Sequence, residues 1–245
     1  MNLSRADGGR GVNLPNALTI GRIAITPLIA WLPFTGSAAG RLAAFVLFLA
    51  AAWSDYYDGM LARTRGLITD LGKLLDPLAD KLLLLGTFLP MFYLQAPAAD
   101  PLLSLLPHRD VLKHYPFVIS TAGANWRLPF PWWIAFIVLG RELAMTIMRQ
   151  IAAQRGTVIA AIGWAKLKTI FQLVWIGAAY FWFFVATVDL VDVRAKTGWG
   201  FLSNFCGIVG AVAMGGSVAL TLFSLALYVS RFWPILVRPG VHRRT

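Results

Sequence analysis

The chain is predicted to be an all-α integral membrane protein with six transmembrane helices. Of its 245 residues, 58% are hydrophobic and only 13% are charged, which is typical of a polytopic membrane protein. A helix needs about 20 apolar residues to cross the hydrocarbon core of a bilayer. Six such segments follow one another along the chain, at about 17–34, 42–62, 74–95, 130–150, 166–187 and 202–230.

The remaining residues set the domain organisation. Residues 1–13 are polar and glycine-rich, which predicts a flexible N-terminus ahead of a six-span domain over 14–232. Within that domain, the segment 97–129 contains five prolines and several charges, which predicts a long loop outside the membrane. Residues 233–245 form a basic tail.

Lys and Arg residues are divided unevenly between the two sets of helix ends. The set that includes both termini holds 13 of the 22 basic residues, whereas the set that includes 97–129 holds 6. Cytoplasmic ends carry the excess of Lys and Arg. Both termini are therefore predicted to be cytoplasmic and the 97–129 loop extracytoplasmic.

The net charge of +11 favours anionic partners. The chain has neither a run of basic residues nor an interleaved aromatic platform, so no nucleic-acid partner is expected. Membrane lipids and phosphorylated substrates are the expected partners.

The first apolar segment has a second interpretation, as a cleaved signal peptide. Arg5 and Arg10 precede it, and small residues at 37–39 would suit cleavage. Its length of about 18 residues and the presence of Arg22 favour a membrane span instead.

Acidic residues are concentrated between the second and third spans, where five of the eleven in the chain lie within residues 55–80. Asp55 and Asp58 are three residues apart and Asp76 and Asp80 are four apart, so each pair shares a helix face. Gly66 predicts a turn between the helices. The resulting hairpin would present four carboxylates to one another.

Four carboxylates in an apolar protein call for bound cations. A charged side chain at the centre of a bilayer costs about 2.5–3.5 kcal/mol, and bare carboxylates repel one another. Oxygen ligands without Cys or His favour Mg²⁺ or Mn²⁺ over zinc, and four carboxylates suit a two-metal site for phosphoryl transfer. A divalent-cation transporter is the alternative from a different class, although the carboxylates cluster at one membrane face.

Two residues beside the carboxylates suit a nucleotide. Gly59 has no side chain, so a phosphate could approach the helix backbone there. Arg63 could reach a pyrophosphate with a fork of donors. The structural alternative is a helix-packing notch at Gly59 and Ala62 with Arg63 extending towards the interface.

The acidic segment resembles the signature of the CDP-alcohol phosphatidyltransferase family, D-x2-D-G-x2-A-R-x8-G-x3-D-x3-D, and matches it at all eight fixed positions. This resemblance implies six helices around a polar cavity open to the cytoplasm. It also implies that two metals are ligated by Asp55, Asp58, Asp76 and Asp80. Asp80 would in addition be the base that takes a proton from the acceptor alcohol.

The resemblance further implies a site for the CDP moiety. Gly59 and Arg63 would hold it, and Thr69 stands where the family often has a hydroxyl near the nucleotide. Asn16 and Thr19 lie in a segment that approaches the nucleotide in the family. The alternative for Asn16 is a cap at the N-terminus of the first helix.

Basic residues near the cytoplasmic mouth suit a phosphorylated acceptor. The candidates for binding the acceptor phosphate are Arg141, Lys166 and Lys168. For Arg149, Arg155 and Lys168 taken singly, anchoring by charges at helix ends is the simpler interpretation. Arg141 lies deeper and adjoins Glu142, the only glutamate in the chain, which favours a buried pair.

Two segments, 13–23 and 141–172, resemble the bacterial phosphatidylglycerophosphate synthase branch of the family. This likeness implies transfer of a phosphatidyl group from CDP-diacylglycerol to sn-glycerol 3-phosphate with release of CMP. It also implies a multi-pass protein of the bacterial cytoplasmic (inner) membrane. A related enzyme acting on inositol phosphate or serine remains an alternative, and the sequence leaves the oligomeric state, a homodimer included, open.

Overall fold

A computed structural model of the chain describes residues 13–67, 69–95, 117–121, 124–154, 164–191 and 199–237. Six long helices account for most of these residues, so the all-α class is confirmed. They are α1 (Leu14–Trp31), α2 (Ala38–Thr64), α3 (Asp70–Tyr93), α4 (Trp132–Gln154), α5 (Trp164–Val191) and α6 (Trp199–Val237). Each helix overlaps one of the six predicted apolar segments, and α2, α5 and α6 contain theirs completely.

Four of the helices are long and apolar enough to cross a membrane. These stretches are Leu14–Thr35, Ala38–Ala62, Leu167–Val188 and Phe201–Ser230. They lie in α1, α2, α5 and α6, and the first extends into a short 3₁₀ turn at Leu32–Thr35. Helices α3 and α4, with 24 and 23 residues, are the remaining two long helices.

Side-chain caps fix where the first three helices begin. Asn13 accepts a hydrogen bond from the backbone N–H of Asn16 at 3.0 Å, so Asn13, rather than Asn16, caps α1. Ser37 and Thr69 cap α2 and α3 in the same way. After α2, Gly66 has a φ of +64°, a conformation that glycine adopts without strain. The predicted turn between α2 and α3 is therefore confirmed.

An aromatic cluster joins α3, α5 and the start of α4. The rings of Phe88, Phe130 and Trp175 contact one another with centroid separations of 5.1–5.3 Å. All three side chains are buried. Aromatic groups of this size provide much of the packing energy in a core, so this cluster fixes α5 against α3.

The predicted loop at 97–129 contains regular structure that the sequence analysis did not anticipate. Strands β1 (Phe117–Thr121) and β2 (Ala124–Leu128) pair antiparallel. Phe117 is buried against α6 at Gly210, where an added Cβ would lie 2.1 Å from a Phe117 ring carbon. The hairpin therefore packs on a glycine notch in the helix.

We expect Gln95→Leu to lower the melting temperature by several degrees. The buried Gln95 amide donates to the Phe130 carbonyl at 2.8 Å and accepts from the Phe130 N–H at 2.9 Å. Leucine would leave both backbone groups without these partners, and each such loss costs about 1–3 kcal/mol. Thermal unfolding in detergent measures the effect.

The control is Gln150→Leu, the same replacement at an exposed position of α4. Equal melting temperatures for the two variants would contradict a stabilising role for the Gln95 contacts.

Candidate active site

The four signature carboxylates lie on two neighbouring helices. Asp55 and Asp58 lie on α2, and Asp76 and Asp80 lie on α3. Helix α1 packs against both α2 and α3. The turn at Gly66 reverses the chain between these helices, so the two acidic pairs and α1 enclose one common site.

Arg22 of α1 lies at the centre of this site. Its guanidinium pairs with Asp55, with Asp58 (Nη2–Oδ2, 2.6 Å) and with Asp80 (Nη1–Oδ1, 2.8 Å). The Arg22 side chain is only 1% exposed. One buried arginine therefore neutralises part of the charge of three carboxylates on two helices, which removes much of their mutual repulsion.

Thr19, one helical turn before Arg22, reaches the fourth carboxylate. Its hydroxyl lies 2.9 Å from Asp76 Oδ1 and 3.2 Å from Asp58 Oδ2, and it also contacts the Pro15 carbonyl at 3.1 Å. Thr19 is buried. Residues of α1 thus contact all four signature carboxylates.

Asn16 and Thr69 contact each other at the N-terminus of α3. The Asn16 Nδ2 group donates to Thr69 Oγ1 at 3.0 Å, and Thr69 Oγ1 also caps the N–H of Gly72. An added Cβ at Gly72 would lie 2.8 Å from Asn16 Oδ1. The glycine of the signature therefore allows α1 to approach α3 closely.

The carboxylates differ in their exposure. The Asp58 side chain is 5% exposed, whereas those of Asp55 and Asp80 are 48% and 59% exposed. Arg22 and Asp58 thus form the floor of the site. Asp55 and Asp80 form its open side, where a substrate would arrive.

A cavity of about 310 Å³ adjoins the open side and joins acidic to basic residues. Its acidic wall includes Asp55, Asp76 and Asp80. Basic side chains that line it are Arg22, Lys81, Arg149 and Lys168. Lys81 and Arg149 form no ion pair within the part of the chain that the structure describes.

Glu142 pairs with two further cations in or near this cavity. Its carboxylate pairs with Lys168 of α5 and with Arg141 at 3.0 Å. Arg141 also donates to Ser224 of α6 at 3.1 Å and does not line the cavity. The expected Arg141–Glu142 pair is therefore present, and it is part of a contact that ties α4 to α5 and α6.

A second cavity, of about 820 Å³, is almost wholly apolar and lies between α2, α5 and α6. Aromatic and aliphatic side chains line it, among them Phe45, Trp53, Tyr56, Phe181 and Phe205. Phe48, Ala52 and Leu173 line both cavities. A polar compartment and an apolar compartment therefore share one wall, directly beside the carboxylates.

The carboxylates fit divalent cations by their donor chemistry. Arg22 and Thr19 contact only one oxygen of each carboxylate, which leaves the second oxygen outside these contacts. Among the described residues, no three acidic, histidine or cysteine side chains are gathered as a ready-made metal site. The guanidinium of Arg22 lies between the carboxylates instead.

The structure brings most of the predicted site residues together. The four aspartates and Thr19 form one contact network with Arg22, and Asn16 and Thr69 contact each other where α1 approaches the start of α3. Gly59 is half-buried on the turn of α2 after Asp58. The side chains of Arg63 and Lys166 lie outside the described part of the chain. Sequence reasoning assigned no role to Arg22, although a lone arginine within an apolar segment was itself a signal.

Comparison with known proteins extends the resemblance to most of the chain. The family model for CDP-alcohol phosphatidyltransferase matches residues 12–223. An Arabidopsis thaliana protein named CDP-diacylglycerol–glycerol-3-phosphate 3-phosphatidyltransferase 1 is 29% identical over 93% of this chain. The chain spans 65% of that relative's length.

Two further relatives match over similar lengths. A probable phosphatidylglycerophosphate synthase of Mycobacterium tuberculosis is 29% identical, and the match covers 92% of this chain and 84% of that protein. A rice protein named cardiolipin synthase (CMP-forming) is 30% identical, with coverage of 93% and 59%. Because the family model spans most of the residues and includes all four carboxylates, this chain belongs to the CDP-alcohol phosphatidyltransferase family.

Proposed function

We propose that this protein transfers a phosphatidyl group from CDP-diacylglycerol to sn-glycerol 3-phosphate and releases CMP. The observation that carries the proposal is the cavity that three signature carboxylates line together with Lys81 and Arg149, two cations without an ion pair among the described residues. Carboxylates suit metal-assisted phosphoryl chemistry, and the cations suit a phosphorylated acceptor. The names of the Arabidopsis and mycobacterial relatives support this choice of substrates.

The metal ligands in this proposal are Asp55, Asp58, Asp76 and Asp80. Bound Mg²⁺ or Mn²⁺ would neutralise the pyrophosphate of the donor and stabilise the charge that develops in the transition state. Gly59, Arg63 and Thr69, together with Asn16 and Thr19 of α1, would surround the CDP moiety. The contact between Asn16 and Thr69 supports a common site for the residues of this group.

Asp80 acts as the general base. It accepts the proton of the acceptor hydroxyl, whose oxygen forms a new bond to the β-phosphorus that bears diacylglycerol. The bond between that phosphorus and the bridging oxygen breaks, and CMP leaves with the electron pair. Asp80 suits this role because its side chain is 59% exposed on the cavity side, whereas Asp58 is buried.

The apolar cavity suits the acyl chains of the donor. Its shared wall at Phe48, Ala52 and Leu173 would allow one amphipathic molecule to place a polar head beside the carboxylates and its tails among aromatic side chains. Burial of acyl chains is favourable at about 0.8 kcal/mol per CH₂ group. A water-soluble donor has no acyl chains to bury in this apolar cavity.

In this proposal all six helices cross the bacterial cytoplasmic membrane, with both termini and the α2–α3 turn in the cytoplasm. Helices α3 and α4 are long enough, since 23 residues span about 35 Å at 1.5 Å per residue. The distribution of Lys and Arg supports this orientation. The polar cavity then opens towards the compartment that holds glycerol 3-phosphate.

Transfer of the phosphatidyl group to a different alcohol is the second candidate function. The rice relative is named a CMP-forming cardiolipin synthase, and its identity and coverage of this chain are similar to those of the other two relatives. The donor, CDP-diacylglycerol, and the released CMP would be the same, so only the identity of the attacking alcohol separates the two candidates.

We expect CMP release from CDP-diacylglycerol in detergent to require both a divalent cation and glycerol 3-phosphate. The assay compares glycerol 3-phosphate, inositol phosphate, serine and phosphatidylglycerol as acceptors, before and after treatment with a chelator. Activity that survives thorough chelation would contradict the metal role. A preference for another acceptor would assign the protein to another branch, and no release with any acceptor would favour a transporter.

Asp80→Asn is expected to lower turnover by about 10²–10⁴-fold while CDP-diacylglycerol still binds, because loss of a general base has effects of that size. Donor binding is measured by the shift in melting temperature that the lipid produces. Asp70→Asn, on the same helix but outside the signature, serves as the control. Near-normal turnover by Asp80→Asn would reject its role as the base.

Arg149→Ala and Lys81→Ala are each expected to raise the KM for glycerol 3-phosphate about tenfold to hundredfold, with little change in the KM for the donor. A hydrogen bond to a charged group is worth about 1.5–3 kcal/mol. Gln150→Ala, beside Arg149 and exposed, is the control. A larger change in the donor KM would place these cations at the nucleotide instead.

A further inference from the structure

We propose that Arg22 is a built-in counter-ion that competes with divalent cations for three of the four carboxylates, Asp55, Asp58 and Asp80, and thereby sets the affinity of the site for metal. The inference rests on the metal role proposed above. It concerns how the guanidinium that pairs with these carboxylates affects the binding of a divalent ion to them.

The position of the guanidinium is the first argument. Arg22 Nη1 pairs with Asp55 of α2 and with Asp80 of α3, and so it bridges the two helices. Nη2 pairs with Asp58. A cation thus lies between carboxylates that a divalent ion would also have to bridge.

The second argument is that carboxylates alone hold this guanidinium in place. Within the described part of the chain, its hydrogen bonds go only to Asp55, Asp58 and Asp80. The buried Nε has no hydrogen-bond partner there. When divalent ions take up these carboxylates, Arg22 therefore loses the partners that fix it.

A displaced guanidinium would still have an anionic partner. Arg22 lines the same cavity as Asp55 and Asp80, which is where the pyrophosphate of the donor lies in the proposed reaction. Arginine binds phosphate oxygens as readily as carboxylates, through the same planar fork of donors. Metal binding would therefore take the carboxylates from Arg22, and the pyrophosphate of the donor would replace them as the partner of the guanidinium.

The competition predicts opposite effects on stability and on metal affinity. Without Arg22 the metal-free carboxylates repel one another, so the metal-free protein is less stable. The same loss removes a positive charge that repels the incoming ion, so the ion binds more tightly. A residue that only supported the fold would lower the stability without raising the affinity.

The experiment measures binding of Mn²⁺ alone to the purified protein in detergent, from the electron paramagnetic resonance signal of free Mn²⁺. We expect Arg22→Gln to bind Mn²⁺ at least about tenfold more tightly than the wild type. Its melting temperature in chelator should fall by several degrees, and Mn²⁺ should raise it by more than in the wild type. Arg22→Lys keeps one charge without the fork, so we expect about threefold tighter binding.

Arg41→Gln is the matched control. Arg41 is a buried arginine at the other end of α2, and its described contacts are to the Pro33 carbonyl and to Thr187. We expect this variant to be less stable, with unchanged Mn²⁺ affinity.

Equal or weaker Mn²⁺ binding by Arg22→Gln would overturn the inference. Should that variant fail to fold, Arg22→Lys decides the matter, and wild-type affinity in it would overturn the inference equally. Wild-type protein that binds no Mn²⁺ and still releases CMP in chelator would instead reject the proposed metal role, on which this inference rests.

Discussion

The packing of the first three helices depends on how the protein compensates four carboxylates that lie together in a largely apolar environment. Uncompensated charges in a helix bundle are costly, and like charges at short range add to that cost. Helix α1 reduces this cost, because Arg22 pairs with three of the carboxylates and Thr19 contacts the fourth. The packing of α1 against α2 and α3 is therefore an electrostatic requirement as well as a hydrophobic one.

This constraint gives the signature positions two kinds of role. The aspartates carry the proposed chemistry, whereas Gly72 leaves room for Asn16 and so sets the distance between α1 and α3. The hydrogen bonds of Thr69 to Asn16 and to the N–H of Gly72 fix where α3 begins. Helix capping and site assembly are thus carried by the same side chains, so a change in this group would affect stability and activity together.

Much of the fold and the carboxylate site could be predicted from local patterns. Apolar runs of about 20 residues located the helices, and the spacing of Asp55, Asp58, Asp76 and Asp80 placed each pair on one helix face. Arg22 was not assigned because its partners are 33–58 residues away, and helical periodicity does not reveal which helices meet. The β1–β2 hairpin was missed since the prolines and charges of 97–129 indicate a loop, and its packing depends on the distant Gly210.

The sequence does not show which cations are available to an incoming anion, because their availability depends on pairing. Glu142 pairs with Lys168 and Arg141, so these two charges are partly compensated, and the Glu142–Lys168 pair joins α4 to α5. Lys81 and Arg149 line the same cavity without an ion pair among the described residues, and they keep their charge for an incoming anion. Glu142 thus separates basic residues that join helices from basic residues that line the cavity without a described ion pair. In the proposed reaction the second group would bind the acceptor, and only the three-dimensional arrangement distinguishes it from the first.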